Sequence, residues 1–198
     1  MYEVEMKFPV EDAAAIESRL RAVGATRRET VSQLDRYFNH PCRDFARTDE
    51  AVRLRRAGER VELTYKGPRV DAVTKTRREQ SLPLATPDTP GGPPATVEAW
   101  TEMLAAVGFR VVAEVAKDRK VLSLERGSFA VEIAIDTVAG LGTYVELEVL
   151  AEEAGLDAAR DCLRELAREL GLAASERRSY LELLLAGRRG DVFRPMGS

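Results

Sequence analysis

The chain has 198 residues, 44% hydrophobic and 32% charged, with a formal net charge of −3; a real core is affordable, and no global field draws it to nucleic acid. Two distant cysteines, Cys42 and Cys162, lack metal-type spacing, and the one histidine, His40, leaves a zinc site or a histidine-based triad almost nothing to work with. No apolar run approaches the roughly 18 residues of a membrane-spanning helix, and the charged first segment does not read as a signal peptide, so no membrane role and a cytoplasmic location are expected.

The chain opens on MYEVEMKFPV, in which Tyr2, Val4, Met6 and Phe8 alternate with Glu3, Glu5 and Lys7. In a strand this gives one apolar and one charged face. VEDAAAIESRLRAVGA then reads as a helix with Ile16, Leu20 and Val23 on one face and Gly24 as its stop. Short alternating segments follow: VSQLDRYF (31–38), AVRLRR (51–56), VELTYKG (61–67) and AVTKTRREQSL (72–82). His40, before Pro41, reads as an exposed loop residue. ATPDTPGGPPAT (85–96) has the proline and glycine content of a loop. TVEAWTEMLAAVG is a second helix, with Val97, Trp100, Leu104 and Val107 on its core face. RVVAEVAKDRKVLSLER (110–126), FAVEIAIDTV (129–138) and GTYVELEVL (142–150) are strands. LDAARDCLRELARELG and SERRSYLELLLAG are helices, and residues 187–198 read as a loosely ordered tail.

Strand after strand carries charge on one face only. Arg53 and Arg55 oppose Val52 and Leu54. Glu62, Thr64 and Lys66 share a face, as do Lys75, Arg77 and Glu79, then Lys117 and Arg119, then Glu132 and Asp136, then Tyr144, Glu146 and Glu148. A solvated outer face is the commonest origin of such a pattern. Here the faces are sorted by sign, and the amphipathic helices need an apolar sheet surface to cover. With the helices outside, the charged faces line the interior. The expected fold is α+β, a closed antiparallel barrel with a polar tunnel.

Buried charges need partners or water. A ligand that suits both walls is a polyphosphate with a hard divalent cation: basic groups hold phosphate oxygens and carboxylates hold Mg²⁺ or Mn²⁺.

Glu3-Val4-Glu5-Met6-Lys7 is an ExExK strand, and LDRYF, AVRLRR, LTYKGP, KTRRE, KDRK, DTVAGLG and YVELE follow in order. On these motifs residues 1–186 resemble the CYTH family, the triphosphate tunnel metalloenzymes, as a single domain with 85–96 a loop within it. The resemblance implies an eight-stranded barrel. It implies Mg²⁺ or Mn²⁺ on Glu3, Glu5, Asp136, Glu146 and Glu148. It implies a triphosphate on Lys7, Arg53, Arg55, Lys66, Lys75, Arg77, Lys117 and Arg119. Lys7, Tyr37 and Lys66 are the expected catalytic residues.

YFNHPCRDFARTDEAVRLR and LTYKGP look most like class IV adenylyl cyclases, which convert ATP to cyclic AMP and pyrophosphate. Hydrolysis of inorganic or thiamine triphosphate is the alternative, and a non-catalytic polyphosphate or nucleotide binder a lesser one. The resemblance implies a small-molecule triphosphate as partner; a homodimer is compatible with the sequence. Proton removal is expected to fall to a metal-bound hydroxide or hydroxyl, or to a lysine lowered by its neighbours, for which Lys66, among Arg53, Arg55 and Lys75, is the candidate.

Overall fold

A computed structural model describes residues 2–69, 76–85 and 96–191. Its strands are β1 (Tyr2–Val10), β2 (Thr26–Asn39), β3 (Ala51–Ala57), β4 (Arg60–Arg69), β5 (Arg77–Ala85), β6 (Arg110–Arg126), β7 (Phe129–Val138) and β8 (Gly142–Ala151). They close into an antiparallel barrel in the order β1-β5-β4-β3-β2-β6-β7-β8. The helices are α1 (Ala13–Ala22), α2 (Phe45–Thr48), α3 (Val97–Ala106), α4 (Leu156–Glu169) and α5 (Tyr180–Asp191). No described helix is long and apolar enough to cross a membrane.

The inside-out arrangement follows from what each strand face meets. On β1, Val4, Met6 and Phe8 pack outward with Ile16 and Leu20 of α1, Leu163 and Leu166 of α4, and the apolar rows of β7 and β8. The charged row points the other way and is buried as deeply: Lys7 is 1% exposed. A second outer cluster places Val97, Trp100 and Leu104 of α3 over Phe38, Leu54 and Val61. Both helices before the long strands start on a capping side chain, Asp12 to the Ala15 amide and Thr96 to the Ala99 amide. They stop on glycines at positive φ, Gly24 and Gly108. The closing Ala25–Leu20 and Phe109–Leu104 backbone hydrogen bonds, each 2.9 Å, are those of a Schellman cap. Leu163 is fully buried beneath the barrel wall. Leu163→Ala is expected to destabilise the protein by about 2–5 kcal/mol, read from urea unfolding.

Four details differ from the sequence expectations. β2 begins at Thr26 rather than 31, because its first residues pair with the far end of β6, Thr26 opposite Ser123. The segment expected as a strand over 72–82 contributes β5 from Arg77, and residues 70–75, Lys75 among them, lie outside the described residues, as do 86–95 of the Pro/Gly-rich loop. Val107 caps the end of α3 and is exposed. His40 is half-buried, edge-on to Phe109 with its Nδ1 accepting from the Cys42 amide.

The last helix differs most. Residues 175–179 are not helical, and α5 runs past Gly187 to Asp191, so the expected tail begins too early. The late start follows from a capping box: the Glu182 amide donates to Ser179 Oγ and the Ser179 amide to Glu182 Oε2. Ahead of it, the Glu176 amide donates to the Lys7 carbonyl at 2.7 Å, pinning this segment to β1. α5 thus packs Tyr180, Leu183 and Leu184 against Val115, Val138 and Tyr144, side chains of the inner barrel face.

Candidate active site

The inward-facing rows bound a cavity of about 680 Å³. Glu3, Glu5, Lys7, Tyr37, Arg53, Arg55, Lys66, Arg77, Lys117, Arg119, Glu146 and Glu148 all line it, so the structure brings together every expected cavity residue it describes except Asp136. Asp136 is not among the lining residues and is fully buried. Its Oδ2 accepts from Lys117 Nζ (2.9 Å), Arg119 Nη2 (2.6 Å) and the Tyr180 hydroxyl (3.0 Å), and its Oδ1 from Arg119 Nε (2.7 Å). Arg119 also donates to Glu146.

The walls are sorted by sign, with exceptions. The adjacent strands β7, β8 and β1 carry the carboxylates. On one rung Glu5 faces Glu148, and Glu148 faces Glu132, across neighbouring strands. Direct like-charge pairs are unfavourable. Burial first, then Glu5 and Glu132, push the Glu148 carboxyl up to about 7, against the opposing pull of Lys66. Glu3 is also raised well above the usual range, by burial and the charge of Glu148, although Lys66 opposes this.

The basic wall spans β6, β3, β4 and β5, and carboxylates interrupt it. Asp35, 1% exposed, accepts a fork from Arg55, Nε to Oδ1 at 2.6 Å and Nη2 to Oδ2 at 2.7 Å, with Arg53 Nη1 at 3.7 Å. Those cations outweigh burial and hold its carboxyl below the usual range. Lys66 Nζ sits 3.1 Å from Glu3 and 2.6 Å from Glu79. Lys7 donates to the Arg178 carbonyl and lies 4.0 Å from the Tyr180 ring centroid.

This corrects the expectation for Lys66. Burial favours its neutral form, but Glu3 and Glu79 outweigh it and raise the pKa. Among the described residues the lowered lysine is Lys117, brought down to about 8 by burial and by Arg119. Tyr37 lines the same cavity with its hydroxyl pKa raised by burial and by Asp35.

The CYTH-domain family model matches residues 1–180. The chain belongs to the CYTH family. A Methanocaldococcus jannaschii protein named "putative adenylate cyclase" is 31% identical over 186 residues, 92% of this chain and 98% of that one. The solved structure of protein PH1819 from Pyrococcus horikoshii matches with a TM-score of 0.79 at 38% identity, covering 94% of this chain and 99% of the other. HpAC1 from Hippeastrum, described as a putative adenylyl cyclase with a dominant triphosphatase activity, shares the fold at 17% identity and a TM-score of 0.63, over 94% and 95% of the two chains.

Among the described residues of this CYTH barrel, no three His, Cys, Asp or Glu side chains converge as a formed cation site. The chemistry of the donor set nonetheless fits a hard divalent cation. Glu5, Glu148 and Glu132 share one rung, and their mutual repulsion is what such an ion relieves. Asp136 fits less well in this arrangement, since three cationic or hydroxyl donors already occupy it. Sequence reasoning missed Asp35 and Tyr180 as site residues. The alternation in LDRYF, which puts Asp35 on the face of Tyr37, and the Ser179–Glu182 capping box were the available signals.

Proposed function

We propose that this CYTH protein is a Mg²⁺- or Mn²⁺-dependent cytoplasmic enzyme that acts on a triphosphate inside the barrel, with ATP cyclisation to cyclic AMP and pyrophosphate as its reaction. The observation that carries the reading is one cavity in which Lys7, Arg53, Arg55, Lys66, Arg77, Lys117 and Arg119 face a carboxylate rung. Guanidinium groups match phosphate oxygens in pairs, and lysines add point charge. Arg53 is suited to this: it is buried, and its Nε has no hydrogen-bond partner among the described residues.

Glu3, Glu5, Glu146 and Glu148 would hold the cation, with Glu132 beside them. When bound, the ion supplies charge neutralisation for the phosphates. Lys66, kept charged by Glu3 and Glu79, binds rather than removes a proton; Lys117, near 8, is the lysine able to exchange one near neutrality. In cyclisation the ribose 3′-hydroxyl would pass its proton to a base such as neutral Lys117 Nζ, its oxygen would bond to the α-phosphorus, and the bond from that phosphorus to the bridging oxygen would break, releasing pyrophosphate.

A second reading, triphosphate hydrolysis, is favoured by the activity described for HpAC1 and by the retention of both Glu146 and Glu148. Incubation with ATP and with inorganic triphosphate, each with Mg²⁺ and Mn²⁺, separates the two. Cyclic AMP and pyrophosphate from ATP are expected. Release of orthophosphate alone, with inorganic triphosphate the better substrate, establishes the hydrolase instead.

A further inference from the structure

We propose that Asp35 is a positioning residue of this site: it holds the Arg55 and Arg53 guanidinium groups in a fixed orientation toward the bound triphosphate and touches neither the anion nor the metal. The inference rests on the triphosphate reading above.

An acid in the basic wall of an anion site is at first sight a defect. Asp35 stands directly across the β2–β3 ladder from Arg55, and Tyr37 across from Arg53. Arg53 and Arg55 are two residues apart on one strand, so both project inward and repel each other. The Asp35 carboxylate lies between them. Its fork takes Nε and Nη2 of Arg55 and leaves Nη1 outside it. Arg53 is steadied by the Asp35 charge at 3.7 Å and by Thr64 Oγ1 at 3.3 Å, while its buried Nε stays unpartnered. Asp35 is itself part of the cavity wall, and each guanidinium is held there with nitrogen left over. Both Asp35 oxygens are taken by Arg55 and the group is 1% exposed, so it is not placed to ligate a cation. Preorganised donors favour a transition state because they need no reorientation as charge develops.

That role predicts a split between binding and turnover. Asp35→Asn keeps the shape but removes a negative charge from an anion site. Ground-state affinity for a polyanion should hold or rise, because loosened guanidinium groups can still reach it. The rate should fall, because they are no longer aimed.

The test pairs calorimetric titration of inorganic triphosphate in the absence of metal with steady-state turnover of ATP and Mg²⁺. In Asp35→Asn, Kd is expected within about 3-fold of wild type or tighter, with kcat at least ~10-fold lower. Asp35→Glu keeps the charge but moves the carboxylate by one methylene. It should retain wild-type Kd and also lose kcat, and it carries the test if the Asn variant does not fold by circular dichroism. Unchanged kcat in both variants overturns the proposal. So does a proportional loss of affinity and rate, which marks a direct phosphate contact or a merely structural role, and so does failure of both variants to fold. If the wild type itself binds no triphosphate, it is the functional reading that fails, taking this inference with it.

Discussion

Glu148→Gln is expected to lower metal-dependent turnover at least ~100-fold, with Glu5→Gln close behind, and to shift the Mg²⁺ or Mn²⁺ titration to higher concentration. A 100-fold loss corresponds to roughly 2.7 kcal/mol of transition-state stabilisation. The size follows from where the charges sit. Glu5, Glu148 and Glu132 are direct cross-strand neighbours on the inner face, and their repulsion is costly unless a cation or protons offset it. Gln fills the same space and accepts hydrogen bonds but contributes no charge, so the rung loses the feature that selects a divalent ion. Asp136→Asn should act differently, since Asp136 is held by Lys117, Arg119 and Tyr180. It should disturb those cations more than the metal titration. Near-normal turnover of Glu148→Gln with an unshifted metal requirement would sink the assignment of the carboxylate rung.

What the sequence made legible was the facing of residues. Alternation alone places Glu3, Glu5 and Lys7 on one side of β1, and the amphipathic α1 and α4 leave only the interior for them. The nearly complete coincidence of expected and observed cavity residues follows from a rule with period two, which a strand can hardly violate. Partner identity was not legible, because it depends on which strand lies next to which and in what register. Lys66 shows the difference. The neighbouring motifs suggest a lysine crowded by Arg53, Arg55 and Lys75. The closed barrel instead brings Glu3 from β1 and Glu79 from β5 onto its ammonium. Lys117 has Asp136 beside it, yet burial and Arg119 prevail. Tyr180 was hidden for another reason. Nothing in the apolar pattern marks its hydroxyl: the Ser179–Glu182 box starts the helix at Tyr180 rather than at the expected residue 175, and at that first turn the ring packs while the hydroxyl donates to Asp136.

The same carboxylate rung should be visible in stability before any substrate is added. The Glu148 carboxyl titrates near 7 in the folded protein, against an ordinary 4.5. A raised folded pKa means the native state binds the proton more tightly than the unfolded chain does. The associated stability is therefore fully present below about pH 4.5 and is lost as pH rises through about 7. A shift of this size is worth on the order of 3 kcal/mol. Other groups titrate in the same protein, and Asp35 and Glu79, with lowered pKa values, act in the opposite sense at more acid pH. The comparison with Glu148→Gln reads the Glu148 charge together with its effect on the raised Glu3 carboxyl, because Gln stays neutral throughout. Urea unfolding without metal at pH 5 and pH 8 should show the wild type losing stability relative to Glu148→Gln by a few kcal/mol between the two. On the proposed reading Mg²⁺ would seat on the ionised rung, and its stabilising effect on the wild type should then grow across the same interval and be small at pH 5. Parallel pH profiles for wild type and variant, with a Mg²⁺ effect that does not depend on pH, would show that Glu148 is neither strained by its neighbours nor part of the cation's seat.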